Sequence, residues 1–219
     1  MVILSHIWLL FKKDLLLEWR QKHTFFGALL YISCTVFVLY MMSGHPEATI
    51  WNALFWIAQL FITVNTVSKS FITEGEQRSR YYFSIVSPLA FIVSKMLYNL
   101  VLMIVMSVIT LGLFTIFMSN PLHNASLFVL VCCLGASSLS LLFTFLSAIA
   151  AQAKQNAAMM AILGFPIAIP LLMILSKLSY AAVVAVQQES WQEMALLMGG
   201  MNILILILGA ILFPFLWKD

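Results

Sequence analysis

Long apolar runs separated by short polar segments dominate the chain. Six runs are long enough to cross a bilayer as helices, because about eighteen residues at about 1.5 Å each nearly span a hydrocarbon core of about 30 Å. A turn or a cluster of polar residues bounds each run. The predicted spans are Phe25–Met42, Ala48–Phe71, Phe91–Met118, Ala125–Ala151, Ala157–Leu175 and Leu196–Trp217.

Two segments do not follow the spanning pattern. Residues 1–23 mix apolar and charged side chains and predict an elbow helix lying in the cytoplasmic interface of the membrane. In such a helix Trp8 and Trp19 would lie at headgroup level, and the basic side chains would face anionic lipid. Residues 176–195 are also mixed and predict a short re-entrant or interfacial helix.

Composition supports the membrane interpretation. The chain is 63% hydrophobic and 9% charged, with a mean hydropathy of +1.04, whereas soluble domains carry about 25% charged residues. Too few polar side chains are present to cover a surface in water. The expected fold is an all-α polytopic membrane protein, with a single transmembrane domain over residues 1–219.

The distribution of Lys and Arg predicts the orientation. Lys177 alone falls on one predicted side of the membrane, and ten of the eleven basic residues fall on the other. Basic residues are enriched in cytoplasmic loops, so the larger group predicts that both termini are cytoplasmic and favours six spans over five or seven. The ten are Lys12, Lys13, Arg20, Lys22, Lys69, Arg78, Arg80, Lys95, Lys154 and Lys218.

Catalytic and nucleotide-binding motifs do not occur in the sequence. It has no G-x-S-x-G, H-E-x-x-H or Walker motif, and no acidic residue lies inside a predicted span. The first absence argues against a hydrolase and against ATP binding by a P-loop. The second argues against an ion-coupled transporter, which usually needs a buried carboxylate. We therefore expect a protein that is not itself an enzyme and has no nucleic-acid partner.

Metal and haem ligation have weak support. The four histidines are dispersed, and Cys34, Cys132 and Cys133 lie in apolar runs without C-x-x-C spacing, which favours packing roles for the thiols. His45 and His123 fall on the same predicted outer side, so a shared ligand role is the alternative to solvated loop histidines. No metal site is predicted.

The second span carries an unusual number of polar residues. Gln59, Thr63 and Thr66 follow helical spacing and share one stripe, Asn52 extends that stripe, and Asn65 lies close to it. Polar side chains at membrane depth prefer protein or water to lipid. They therefore either attach this helix to its neighbours or line a cavity or subunit interface.

The fifth span contains two prolines in the run G-F-P-I-A-I-P-L-L-M. Pro166 and Pro170 each remove a backbone donor, which predicts a bend or a break in the helix. A kink that serves packing and a flexible element that serves gating are both compatible with the sequence.

The segment at residues 72–90 concentrates charge in a chain that has little. Four charged residues fall within seven positions of this segment and are followed by two tyrosines. The four are Glu74, Glu76, Arg78 and Arg80. A short amphipathic helix on the cytoplasmic face is predicted, with a docking surface for a cytoplasmic partner favoured over a loop that only sets topology. The candidate docking residues are Glu74, Gly75, Glu76, Gln77, Arg78, Arg80, Tyr81 and Tyr82.

Three runs resemble a known family. They are K-K-D-L-L-L-E-W-R in the elbow, S-K-S-F-I-T-E-G-E-Q-R-S-R-Y-Y-F-S-I-V-S-P-L-A-F-I-V-S-K-M-L-Y-N from the second span to the third, and the two-proline run in the fifth. Together with length and span number, they look like the CcmB family, haem exporter protein B. That family is the permease subunit of the cytochrome c maturation ABC transporter.

The resemblance implies partners and a location. It implies a separate cytoplasmic ATPase, CcmA, that meets the 72–90 segment as a coupling helix, and a haem-handling membrane partner, CcmC. It also implies the bacterial inner membrane, a pair of permease subunits, and a role in haem export or in release of the haem-loaded chaperone CcmE. No cofactor is assigned to this chain, and haem is expected only as cargo of the complex. A non-transporting membrane scaffold and a small channel or facilitator are the alternatives.

Overall fold

The computed structural model describes residues 2–20, 22–72, 86–118, 120–152, 157–184 and 191–216. Within these ranges the chain is built from α-helices and short connections. The helices are α1 Val2–Arg20, α2 Lys22–Ser43, α3 Ala48–Ile72, α4 Pro88–Phe117, α5 Ala125–Gln152, α6 Ala157–Val183 and α7 Trp191–Leu216.

Six of these helices, α2 to α7, are long and apolar enough to cross a membrane. Each overlaps one of the six predicted spans, with ends that differ by up to eight residues, the largest difference being at the end of α6. The helix α1 covers most of the segment predicted as an elbow. The prediction of an all-α polytopic fold with about six spans is therefore confirmed.

The prediction for residues 176–195 is wrong. Residues 176–183 continue α6 without interruption, and α7 already begins at Trp191. Lys177 therefore lies on a spanning helix, where it is exposed. The charges of Lys177, Glu189 and Glu193 suggested a mixed segment. The helix nevertheless continues to Val183, because Leu178, Ala182 and Val183 are buried against the bundle.

The helix α5 lies at the centre of the bundle. It packs against α3, α4, α6 and α7, and it is the most buried of the six spans. The helix α3 is the next most buried, whereas α2 and α7 are largely exposed. The exposed positions of α2 and α7 are apolar, for example Leu30, Met42, Ile203 and Ile211, as expected of helices that face lipid.

Hydroxyl side chains on α5 bond to carbonyl groups of their own helix. Ser137 and Ser138 both donate to the Leu134 carbonyl, at 2.6 and 2.9 Å, and Thr144 donates to the Ser140 carbonyl at 2.6 Å. Such local bonds are the usual way in which a serine or threonine is satisfied inside a helix. Three of the hydroxyls on the central helix are thus satisfied within that helix, whereas Ser140 Oγ is buried without a hydrogen-bond partner among the described residues.

The short connections gather at one end of the bundle. The backbone amides of His123 and Asn124 donate to the Ala182 carbonyl near the end of α6, at 3.1 and 2.9 Å. The indole of Trp191, at the start of α7, donates to the Leu178 carbonyl at 3.2 Å. The N-terminal helix α1 packs at the other end, against the first turns of α4.

Candidate functional site

The predicted docking segment lies between two defined helix ends. The helix α3 ends at Ile72, and α4 begins at Pro88 with Ser87 as its N-cap, whose Oγ accepts from the Ala90 amide at 3.4 Å. Serine at the N-cap with proline directly after it is a strong start signal for a helix. The eight candidate residues from Glu74 to Tyr82 lie outside the described residues, so their assignment stays a prediction.

The polar stripe of α3 faces the interior of the bundle. Asn52, Gln59 and Thr63 are buried, whereas Asn65 and Thr66 are half-buried. The hydroxyl of Thr63 donates to the Gln59 carbonyl one turn earlier, at 2.7 Å. The deeper members of the stripe therefore contact neighbouring helices, and only its last two members have appreciable exposure.

A three-residue network joins α3 to α6. The hydroxyl of Ser179 donates to Asn52 Oδ1 at 2.7 Å and accepts from Trp56 Nε1 at 2.7 Å. Asn52 Nδ2 also donates to the Ser176 carbonyl at 2.9 Å. The network uses both amide atoms of Asn52, and it holds α6 against α3 near the end where the short connections gather.

Two further pairs join the central helices. Asn99 Nδ2 on α4 donates to Thr144 Oγ1 on α5 at 3.0 Å. Asn202 Nδ2 on α7 donates to Ser137 Oγ on α5 at 3.2 Å. Each pair consists of one amide and one hydroxyl on different helices, which is the usual polar contact between membrane helices.

The two prolines do not interrupt α6. The helix is continuous from Ala157 to Val183, and both Pro166 and Pro170 lie on its exposed side. Gly164, just before them, is buried with its α-carbon facing the ring of Phe143. The prolines therefore point away from the bundle, while the buried side of the same region packs closely on α5.

The N-terminal helix contributes a site that the sequence patterns did not indicate. Lys95 and Asp14 are both buried, and Lys95 Nζ lies 3.1 Å from Asp14 Oδ2. Tyr98 donates to Glu18 Oε2 at 2.9 Å one turn further along α4. The count of basic residues placed Lys95 on the cytoplasmic flank of the loop, near the start of the third predicted span. A possible signal was the spacing of Leu10, Asp14 and Glu18, which places two acids on one face of α1.

The histidines do not form a metal centre among the residues that the structure describes. No group of three or more metal-ligating side chains is found there. His123 is exposed, and its backbone amide belongs to the contact with α6. His45 is also exposed, with its ring 6.1 Å from that of Tyr40.

Comparison with known proteins identifies the family. A scan against protein-family models matches residues 5–215 to the family described as CcmB protein. The match extends over nearly the whole chain. The chain belongs to the CcmB family. No match was found among curated proteins.

Membership defines the general role of the site. CcmB proteins are membrane permease subunits of the Ccm ABC transporter system, which acts in cytochrome c maturation as a haem exporter. A CcmB chain is a permease subunit and not itself an enzyme. The informative features of this CcmB chain are therefore the contacts that hold its helices together and those that connect them to other proteins.

Several buried polar side-chain atoms lack a hydrogen-bond partner among the described residues, including Asn99 Oδ1 and Asn202 Oδ1, and one of them belongs to Gln59 on α3. Gln59 Oε1 accepts from the Ser107 hydroxyl at 3.0 Å, but Gln59 Nε2 is buried without a hydrogen-bond partner within the described part of the chain. An unpaired buried amide is unfavourable for stability.

We expect the double variant Gln59→Leu/Ser107→Ala to be as thermally stable as the parent or more stable, because replacing both partners of a buried pair by apolar groups is nearly neutral or favourable. Thermal unfolding of detergent-solubilised protein measures this. Asn52→Leu is the matched control, since both of its amide atoms are bonded, and it should lower the stability. A large loss in the double variant would show that the Gln59 amide stabilises the fold.

Proposed function

We propose that this chain is the membrane permease subunit of an ABC transporter in the bacterial inner membrane, energised by a separate cytoplasmic ATPase of the CcmA type. The family match over residues 5–215 carries the proposal. In this arrangement both termini are cytoplasmic, as the distribution of basic residues favours. The complex acts in cytochrome c maturation, by exporting haem or by releasing the haem-loaded chaperone CcmE.

The segment from Glu74 to Tyr82 is proposed to receive the ATPase. It connects the end of α3 to the start of α4, so a force on it would reach two helices of the bundle at once. The helix α1 packs on the same part of α4. ATP-driven closure of two ATPase subunits would press on this end of the bundle and change the packing of the spanning helices.

The permease is proposed to work as a pair, with haem as cargo of the complex and not as a cofactor of this chain. The buried polar groups of α3 bond to groups on α4 and α6 of the same chain. This arrangement favours a route between subunits over one through the bundle of a single chain. A CcmC-like membrane protein would handle the haem.

The docking role of the segment is tested by reversing its basic charge. In the variant Arg78→Glu/Arg80→Glu we expect co-purification of the ATPase to fall by about tenfold or more, because charge reversal at a docking surface replaces attraction by repulsion. Lys177→Glu is the matched control, since that lysine is exposed on the spanning helix α6, near the end of the bundle away from α1. Undiminished ATPase binding would contradict the docking role.

The same preparations separate the transporter from the scaffold. ATP turnover of the purified complex that changes when this chain is altered supports a transporter. ATP turnover that does not change when this chain is altered, while the complex stays intact, supports a membrane scaffold. Flux of a solute through the chain alone would support a facilitator.

A further inference from the structure

The packing of α1 on α4 depends on a group of charges enclosed between the two helices. Asp14 is the centre of the group: its Oδ2 faces Lys95 Nζ at 3.1 Å, and its Oδ1 faces Lys13 Nζ at 3.0 Å. The Asp14 and Lys95 side chains are only 6% and 4% exposed, whereas that of Lys13 is 28% exposed. The Asp14–Lys95 pair is therefore the buried part of this contact.

Aromatic rings complete the enclosure on the α4 side. Phe91 and Tyr98 lie one turn before and one turn after Lys95, and the ammonium is 6.0 Å from the centre of each ring. The Tyr98 hydroxyl donates to Glu18 on α1. The four charged groups, Lys13, Asp14, Glu18 and Lys95, sum to zero. The buried part of the group, Asp14 and Lys95, is itself neutral, and such a pair tolerates burial better than either charge alone.

The contact between Asp14 and Lys95 lies close to the start of α4. Lys95 lies about two helical turns after Pro88, where α4 begins. The segment proposed to receive the ATPase, residues 74–82, precedes that point by six residues of sequence. A displacement applied to the segment therefore enters α4 beside the charged contact, before it reaches the rest of the bundle.

We propose that Asp14 and Lys95 are positioning residues that lock α1 to the first turns of α4, so that the N-terminal helix moves together with the start of α4. The inference rests on the proposed function, because it needs an ATPase that acts on the segment. The N-terminal helix is then part of the coupling apparatus and more than a membrane anchor. Movement of α1 away from α4 would separate the buried Lys95 ammonium from the Asp14 carboxylate, and breaking a buried ion pair is strongly unfavourable.

The test compares single variants with the exchanged pair in the complete complex. We expect Asp14→Asn and Lys95→Met each to raise backbone hydrogen exchange in α1 by about tenfold or more, while α5 stays protected. ATP turnover and cytochrome c maturation should fall, although the ATPase still co-purifies. The exchanged pair Asp14→Lys/Lys95→Asp should restore both α1 protection and turnover at least in part. Lys12→Met, an exposed cation on the same helix, is the matched control and should change neither.

The outcomes separate this inference from the proposed function. If no variant alters α1 exchange, or if the exchanged pair is as impaired as the single variants, the lock is refuted. If α1 is released but turnover is unchanged, the lock exists without a coupling role and the inference fails. Failure of the proposed function would give a different result, because the ATPase would then not bind even the parent chain. Tyr98→Phe removes only the Glu18 bond and should give a smaller release of α1, which tests the inference if Lys95→Met does not accumulate.

Discussion

Gly135→Ala is expected to destabilise the bundle by about 1–3 kcal/mol, the usual cost of adding a methyl group where a core has no space. A β-carbon at Gly135 would lie 2.4 Å from two ring atoms of Trp56 and 2.9 Å from Leu175 Cδ2. The indole cannot move aside easily, because it is fully buried and donates to Ser179. The glycine therefore allows α5 to approach α3 closely at the centre of the bundle.

Thermal unfolding in detergent measures this effect, and the chain offers two kinds of control. Gly112 and Gly199 also lie in spanning helices, but a β-carbon at either has nothing within 4 Å. Alanine at these positions should leave stability unchanged or raise it by up to about 1 kcal/mol. Gly209 is intermediate, since its nearest neighbour is Met96 Cε, the flexible end of a side chain. Equal stability of Gly135→Ala and Gly199→Ala would contradict the close packing of Trp56.

Ser179→Ala is expected to destabilise the protein by about 1–2 kcal/mol, because it leaves two buried groups unpaired at once. Those groups are Trp56 Nε1 and Asn52 Oδ1, each 2.7 Å from the hydroxyl that would be lost. A single polar contact between membrane helices averages about 0.6 kcal/mol, so an effect above that value would reflect the shared role of this hydroxyl. The same variant should also loosen α6 from α3.

A double-mutant cycle tests whether the lost bond to Trp56 causes the destabilisation by Ser179→Ala. In the Ser179→Ala background, Trp56→Phe should lower the free energy of unfolding by less than it does in the parent protein. The reason is that the bond between the indole and the hydroxyl is already lost in that background. Ser126→Ala is the control, since that hydroxyl is exposed and bonds to Asn124 near the end of the bundle, and it should be neutral. Additive effects of Trp56 and Ser179 would show that the indole and hydroxyl do not depend on each other.

The spanning helices could be predicted from sequence because the bilayer imposes a minimum apolar length, and each run satisfies it. The family resemblance, stated on three runs, is confirmed by the match over residues 5–215. The prediction for residues 176–195 was wrong because Lys177, Glu189 and Glu193 suggested one mixed segment. Lys177 instead occupies an exposed side of a spanning helix, while its neighbours Leu178 and Ser179 are buried.

Contacts between distant parts of the chain could not be read from local patterns. Asp14 and Lys95 each look like ordinary charges near a loop or terminus, and only the packing of α1 on α4 makes them partners. Likewise, the helical spacing of the polar residues predicted the interior stripe of α3, but its partner Ser179 lies in another span and could not be predicted. The docking role of residues 74–82 stays a prediction, because these residues lie outside those that the structure describes.

The self-bonded hydroxyls of α5 have a consequence for biosynthesis. The helix α5 is made before α6 and α7, two of the helices that bury it, so it must leave the insertion machinery with part of its polar face uncovered. Ser138 and Thr144 already bond to carbonyls of their own helix, which lowers the cost of a transient contact with lipid. The central helix can therefore remain in the membrane before α6 and α7 are inserted. Its contacts with these two helices can form afterwards.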